Sequence, residues 1–144
     1  MKKLITMLTA VSMLTGMAAF PVSAQSNAVC STASYADATP YYLYTRSSSC
    51  TLTISGTTAN CTAALTGTAA VNRITGTIYL YKETSTDNWS AISSWSFSVN
   101  SNSTTQTKPK SGLGKGTYYA KAVFNVYTSS GSETVTAYST ESSI

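Results

Sequence analysis

The sequence predicts an all-β domain, a sandwich of about seven antiparallel strands, and two observations carry that prediction. Through residues 74–81, 95–99 and 116–127, apolar and polar side chains alternate with a period of two, the pattern of strands buried on one face. Short Gly, Ser, Asn and Asp clusters separate these runs, and such residues favour turns because they tolerate unusual backbone angles or satisfy backbone groups locally. No convincing helical period occurs beyond the first two dozen residues.

Those first residues read as a secretory signal peptide. Met1-Lys2-Lys3 gives a basic start, an apolar and Thr-rich run extends to Phe20, and small residues precede a cut expected after Ala24. The run is short for a membrane anchor and leads into a polar segment, which a spanning helix would not need. The expected product, residues 25–144, suits one domain with a modest core. Losing Lys2 and Lys3 lowers the formal charge from +4 to +2.

Residues 25–49 form a Ser- and Ala-rich leader, expected to be flexible, with Tyr41, Tyr42 and Tyr44 marking an extra edge segment over 42–45. The sandwich is expected over 50–140. Its strands run over 50–54, 58–66, 73–82 and 89–99, the last bending near Ser93-Ser94. A short strand over 103–107 precedes a loop at 109–116, whose three glycines permit positive φ. The most regular strands, 117–128 and 132–140, follow, and residues 141–144 form a tail. Seven strands in this span have the spacing of a sandwich.

Alternation assigns faces. Tyr118, Ala120, Ala122, Phe124 and Val126 share the core side of their strand, joined by Ile74, Ile78, Leu80, Trp95, Phe97, Val99, Val135 and Ala137. Tyr118, just after Gly116, suits a tyrosine corner, with its ring buried and its hydroxyl on a nearby carbonyl. Tyr79, Tyr81, Tyr119, Tyr127 and Tyr138 then point outward and are expected to share one exposed sheet face.

Export leaves three cysteines, Cys30, Cys50 and Cys61, in an oxidising or permissive setting. With a hairpin turn at Ser55-Gly56, Cys50 and Cys61 lie on facing strands, diagonal if Leu52 sits opposite Cys61. A Cys50–Cys61 bridge, a Cys30–Cys50 bridge and no bridge all remain open, since Cys61 also fits a small buried hydrophobe between Ala59 and Ala63. Three dispersed thiols without histidine lack the ligand spacing of a metal site.

The chain resembles a group of small secreted proteins of Gram-positive, clostridia-like bacteria. The likeness runs through Leu52-Thr53-Ile54-Ser55-Gly56, Ala59-Asn60-Cys61, Ile78-Tyr79-Leu80-Tyr81-Lys82, Trp89 and Trp95-Ser96. It continues through Gly116-Thr117-Tyr118-Tyr119-Ala120-Lys121-Ala122, Glu133-Thr134 and Tyr138-Ser139. It implies an immunoglobulin-like β-sandwich and an extracellular destination, and it carries no activity.

Composition bears on function mainly by what it lacks. There is no histidine for a serine-based triad, no phosphate-binding glycine loop and hence no expected cofactor, and few carboxylates. A glycosidase would need two carboxylates brought together, with Glu83 and Glu133 as the available pair. The expectation is a non-enzymatic protein. Arg46, Arg73, Lys82, Lys108, Lys110, Lys115 and Lys121 are scattered, apart from a group at 108–115 that reads as a solvated turn, so no nucleic-acid partner is expected. With no basic amphipathic helix, no membrane partner is expected after signal removal. What remains is a binding module for a glycan, a cell-envelope polymer or a protein, acting through the outward tyrosines. The alternative is a structural, self-associating extracellular or surface component, since uncharged Ser- and Thr-rich strands oppose edge pairing only weakly.

Overall fold

The computed structural model describes residues 41–144, all of which lie in one compact unit. The expected signal peptide, most of the leader and Cys30 fall outside them. The strands are β1 (Thr45–Ser55), β2 (Thr58–Gly67), β3 (Val71–Ser85), β4 (Asn88–Val99), β5 (Ser103–Lys110), β6 (Thr117–Thr128), β7 (Ser132–Tyr138) and β8 (Ser142–Ser143). They form two antiparallel sheets, one in the order β1-β2-β5 and one in the order β4-β3-β6-β7, with β8 pairing the start of β6. This is an immunoglobulin-like sandwich. Where a constant-type immunoglobulin domain places its fourth strand on the first sheet, β4 here pairs with β3, so the second sheet is the wider one.

The alternation of the sequence becomes the division between core and solvent. Tyr118, Ala120, Ala122, Phe124 and Val126 of β6 are buried, as are Ile74, Ile78 and Leu80 of β3 and Val135 of β7. From the other sheet come Cys50, Leu52, Ala59, Cys61, Ala63 and Leu65. Each large aliphatic or aromatic side chain so buried contributes about 1.5–3 kcal/mol relative to exposure. Trp95, Phe97 and Val99 share the core face but are only half-buried, because β4 is the outer strand of its sheet. Gly76 of β3 is buried beneath one of them. A Cβ there would lie 2.5 Å from Phe97 Cζ and 2.8 Å from the Val123 carbonyl oxygen, so the missing side chain lets the Phe97 ring sit down against β3. That ring meets Phe124 edge-on at 5.9 Å.

Turn chemistry sets the register. Gly56 and Thr57 link β1 to β2, with Ser55 opposite Thr58 and Gly56 at φ 58°. Glycine with positive φ at the first of two loop residues is the requirement of a type II′ turn, whose twist matches the flanking strands. This puts Leu52 opposite Cys61 and Cys50 opposite Ala63. Asp87, at φ 61°, closes the β3–β4 hairpin, helped by Asn88, which donates to Ser85 Oγ and to the Thr86 carbonyl. The Tyr118 hydroxyl donates to the Gly114 carbonyl four residues upstream, forming the tyrosine corner at the entry to β6.

The ordered domain exceeds the expected bounds at several points. β1 begins at Thr45 rather than near Cys50, and Tyr42 and Tyr44 pack on the core. Glu133 secures this entry. Its carboxylate accepts hydrogen bonds from the backbone of Leu43 (2.9 Å) and Tyr44 (3.1 Å) and from Thr45 Oγ1 (2.7 Å). The expected tail contains β8, held by Ile144 N donating to the Gly116 carbonyl at 3.0 Å. The expected solvated turn at 108–110 is instead the end of β5. Lys108 and Lys110 there occupy positions opposite Cys61 and Ala59 and are half-buried, their stems lying along the sandwich edge.

Candidate functional site

The exposed face of the wider sheet is built in rungs, each formed by residues directly opposite one another. Tyr81 faces Tyr119, and Ala91 lies on the other side of Tyr81. In the next rung, Ser94, Tyr79, Lys121 and Tyr138 run across β4, β3, β6 and β7. Further along come Ser96, Thr77, Val123 and Thr136, then Ser98, Thr75, Asn125 and Thr134, and finally Arg73, Tyr127 and Ser132. One end of the face is therefore aromatic and the middle is hydroxylic.

At the aromatic end the rings touch. Tyr81 and Tyr119 stack nearly parallel, with centroids 4.9 Å apart and planes at 7°. Tyr79 stands 6.1 Å from Tyr81, and Tyr138 6.3 Å from Tyr119. Tyr138 is the most open, 60% exposed. Burial among these neighbours, followed by the proximity of the Tyr81 and Tyr138 phenols, pushes the Tyr119 pKa up, so its hydroxyl keeps its proton. Lys121 Nζ lies 5.6 Å from the Tyr138 ring centroid. Tyr127, expected on the same platform, belongs to the far end of the face, where Arg73 lies over its ring at 4.3 Å.

Trp89 joins the platform, and sequence alternation missed it. Counting back from Trp95, Phe97 and Val99, all odd-numbered and core-facing, assigns Trp89 to the core. The structure inserts one unpaired residue, Ile92, because Leu80 pairs with Ser93 while Tyr81 pairs with Ala91. This β-bulge reverses the faces of everything before it. Trp89 thereby sits opposite Glu83 and meets Tyr119 edge-on at 4.7 Å, reaching past β3. The bend expected at Ser93-Ser94 was the available signal, displaced by one or two residues.

The other expected sites resolve differently. Cys50 and Cys61 are diagonal neighbours on the core side of β1 and β2, and both are free thiols; the Cys50–Cys61 bridge is not formed. Opposite residues, not diagonal ones, bring Cβ atoms within the reach of a disulfide. Burial pushes the Cys50 thiol up to about 12, with the neighbouring Cys61 adding to it, and burial raises Cys61 to about 11. Such thiols behave as small core hydrophobes rather than nucleophiles. Glu83 and Glu133 stand at opposite ends of the sheet. Glu83 lies one residue beyond the Lys82–Tyr118 pair and Glu133 opposite Val126, which separates them by about 30 Å of strand. A glycosidase carboxylate pair needs roughly a third of that or less. Among the described residues, no three His, Cys, Asp or Glu side chains gather as a metal site.

No protein-family profile matches the chain, and no curated protein sequence matches it. Among solved structures, the crystal structure of Spo0M, a sporulation control protein from Bacillus subtilis, aligns with 67% of this chain at 10% identity and a TM-score of 0.29. The alignment spans 48% of that protein's own length, and so loose a superposition carries no argument about this chain.

Proposed function

We propose that this protein is a secreted, non-catalytic binding module that holds a glycan, such as a polymer of a cell envelope, against the aromatic end of its wider sheet. The observation behind this reading is the Tyr81–Tyr119 stack, extended by Trp89 and Tyr138 into one solvent-facing platform. The platform covers about 13 Å along the strands and about 14 Å across them, enough for more than one sugar ring. Sugars offer apolar faces to such rings, and the backbone of a sheet holds the rings in place before the ligand arrives, which lowers the entropy cost of binding. The signal-like start of the chain fits a ligand met outside the cell.

The test is retention of purified residues 25–144 on insoluble cell-wall material, mucin and a polysaccharide panel, beside a Tyr81→Ala/Tyr119→Ala variant. Retention by the parent and its loss in a variant that still melts cooperatively supports the platform. Retention that survives the double change places the ligand elsewhere.

A second reading, self-association, is favoured by β4. This edge strand carries no charged residue over Asn88–Val99, whereas the β5 edge ends in Lys108-Pro109-Lys110. Charges and proline guard a sheet edge and β4 has neither; the bulge at Ile92 interrupts it, which leaves residues 93–99 as the regular, unguarded stretch. Sedimentation over a range of concentrations, with Ser96→Lys as the blocking variant, decides whether copies pair there.

A further inference from the structure

We infer that the ligand of this face is an acidic glycan, its rings on the tyrosine platform and its anionic groups on Lys121 and Arg73; this rests on the binding reading above. Lys121 is set within the platform, between Tyr79 and Tyr138 in a single rung, so a sugar stacked on either ring brings its substituents to Nζ. Its neighbours on the face, Tyr79, Tyr119, Val123 and Tyr138, carry no charge. The carboxylate that shares the face, Glu83, lies beyond the Tyr81–Tyr119 rung, about 13 Å away along the strands.

Arg73 repeats the arrangement at the far end. Its guanidinium carbon lies 4.3 Å from the centre of the Tyr127 ring, a contact made through the guanidinium face, while recognition of an acid group runs through the N–H donors in its plane. The two cations stand about 20 Å apart along the strands. Between them the surface offers Thr75, Thr77, Ser96, Asn125 and Thr136, short side chains that donate and accept hydrogen bonds and hold no charge. A neutral glycan would use the rings and hydroxyls and leave both cations unmatched. A chain with acidic groups at intervals uses all three, and charge complementarity of this kind selects a ligand more than it adds raw affinity.

The probes are polygalacturonate, its fully methyl-esterified form and a phosphomannan, immobilised and challenged with the purified protein. The first two share a backbone and differ in charge, and the third carries phosphate in place of carboxylate on a mannose backbone. The acid is expected to be held on the order of tenfold more tightly than the ester, as one charge-assisted hydrogen bond would give. That preference should fade with added salt. Lys121→Gln and Arg73→Gln should each lower retention of the acid by a larger factor than retention of the ester, eroding the acid-over-ester ratio. Lys108→Gln, the same charge change on the opposite sheet, should leave the ratio intact. Retention of phosphomannan assigns the site to anions of either kind, and retention of the acid alone assigns it to the carboxylated glycan, backbone and charge together. Equal retention of acid and ester, both lost in Tyr81→Ala/Tyr119→Ala, overturns the acidic preference and leaves the glycan platform standing. An equal effect of Lys108→Gln reduces the preference to net charge and also overturns it. No retention of any probe by the parent overturns both readings.

Discussion

Replacing Gly76 with alanine tests how the core is closed on its open side. A Cβ at this position would lie 2.5 Å and 2.9 Å from two atoms of the Phe97 ring and 2.8 Å from the Val123 carbonyl oxygen. The ring can swing away, but the carbonyl belongs to β6 and moves only with the ladder that joins it to β3. Two effects compete. Alanine in a strand loses less backbone freedom than glycine on folding, a gain of about 0.5–1 kcal/mol. Forcing an extra methyl into a packed site costs about 1–3 kcal/mol. The clash wins, for a net loss of about 1–2 kcal/mol, or a fall in Tm of about 5–15 °C for a domain of this size. Thermal and urea unfolding of Gly76→Ala, Phe97→Leu and the double variant measure it. Shortening Phe97 should recover part of the loss, giving a coupling of about 0.5 kcal/mol or more. A Gly76→Ala variant as stable as the parent would show that Phe97 does not seat on β3, and the account of this edge would fail.

The remaining predictions concern the corner, the entry, the thiols and the bulge. Tyr118→Phe removes the donor to the Gly114 carbonyl and should cost about 1–2 kcal/mol by urea unfolding, with the ring still buried. Glu133→Gln exchanges a charged acceptor of three donors for a neutral one and should speed amide exchange at Leu43 and Tyr44, with little change in β6. Cys50 and Cys61 hold their protons more tightly when folded, so stability is full below about pH 9 and falls as pH rises towards 11, where the unfolded chain ionises first. Urea midpoints at pH 8 and pH 10 should therefore differ more for the parent than for Cys50→Ala/Cys61→Ala, and native thiols should resist a disulfide reagent that labels them in urea. Deleting Ile92 should bury or displace Trp89 and remove its edge contact with Tyr119, read as a blue shift or broadening of tryptophan emission.

The fold was legible because its grammar is local. The run from Tyr118 to Val126 alternates without interruption, and the structure buries those residues that the alternation assigned to the core. Ser55-Gly56 marked the hairpin, and Leu52 does face Cys61. The site was legible in part. Tyr79, Tyr81, Tyr119 and Tyr138 come together because unbroken alternation fixes their faces, while Tyr127 shares the face but not the cluster, since parity says nothing of distance along a strand. Trp89 escaped because a bulge is a defect in counting, and Ser93-Ser94 marks a bend in the strand without saying that a residue is left unpaired there. The extent of β5 escaped for a different reason. Lys108-Pro109-Lys110 reads as a turn by composition, yet an edge strand accepts proline and partly buried lysines where a central strand would not.

The unpaired residue in β4 also bears on how such a surface changes over generations. A ring platform assembled through side-chain identity alone would be rebuilt one substitution at a time. Here a single codon gained or lost within residues 91–93 would reassign Trp89, together with Ser90 and Ala91, from one side of the sheet to the other with no substitution elsewhere. The ladder beyond the insertion, from Ser93 to Val99, would keep its partners. The rim of the aromatic face is thus open to revision by length variation in one short stretch, while the stacked pair on the two central strands stays fixed. Relatives that differ by one residue there would share a framework and diverge in the rings they present to solvent.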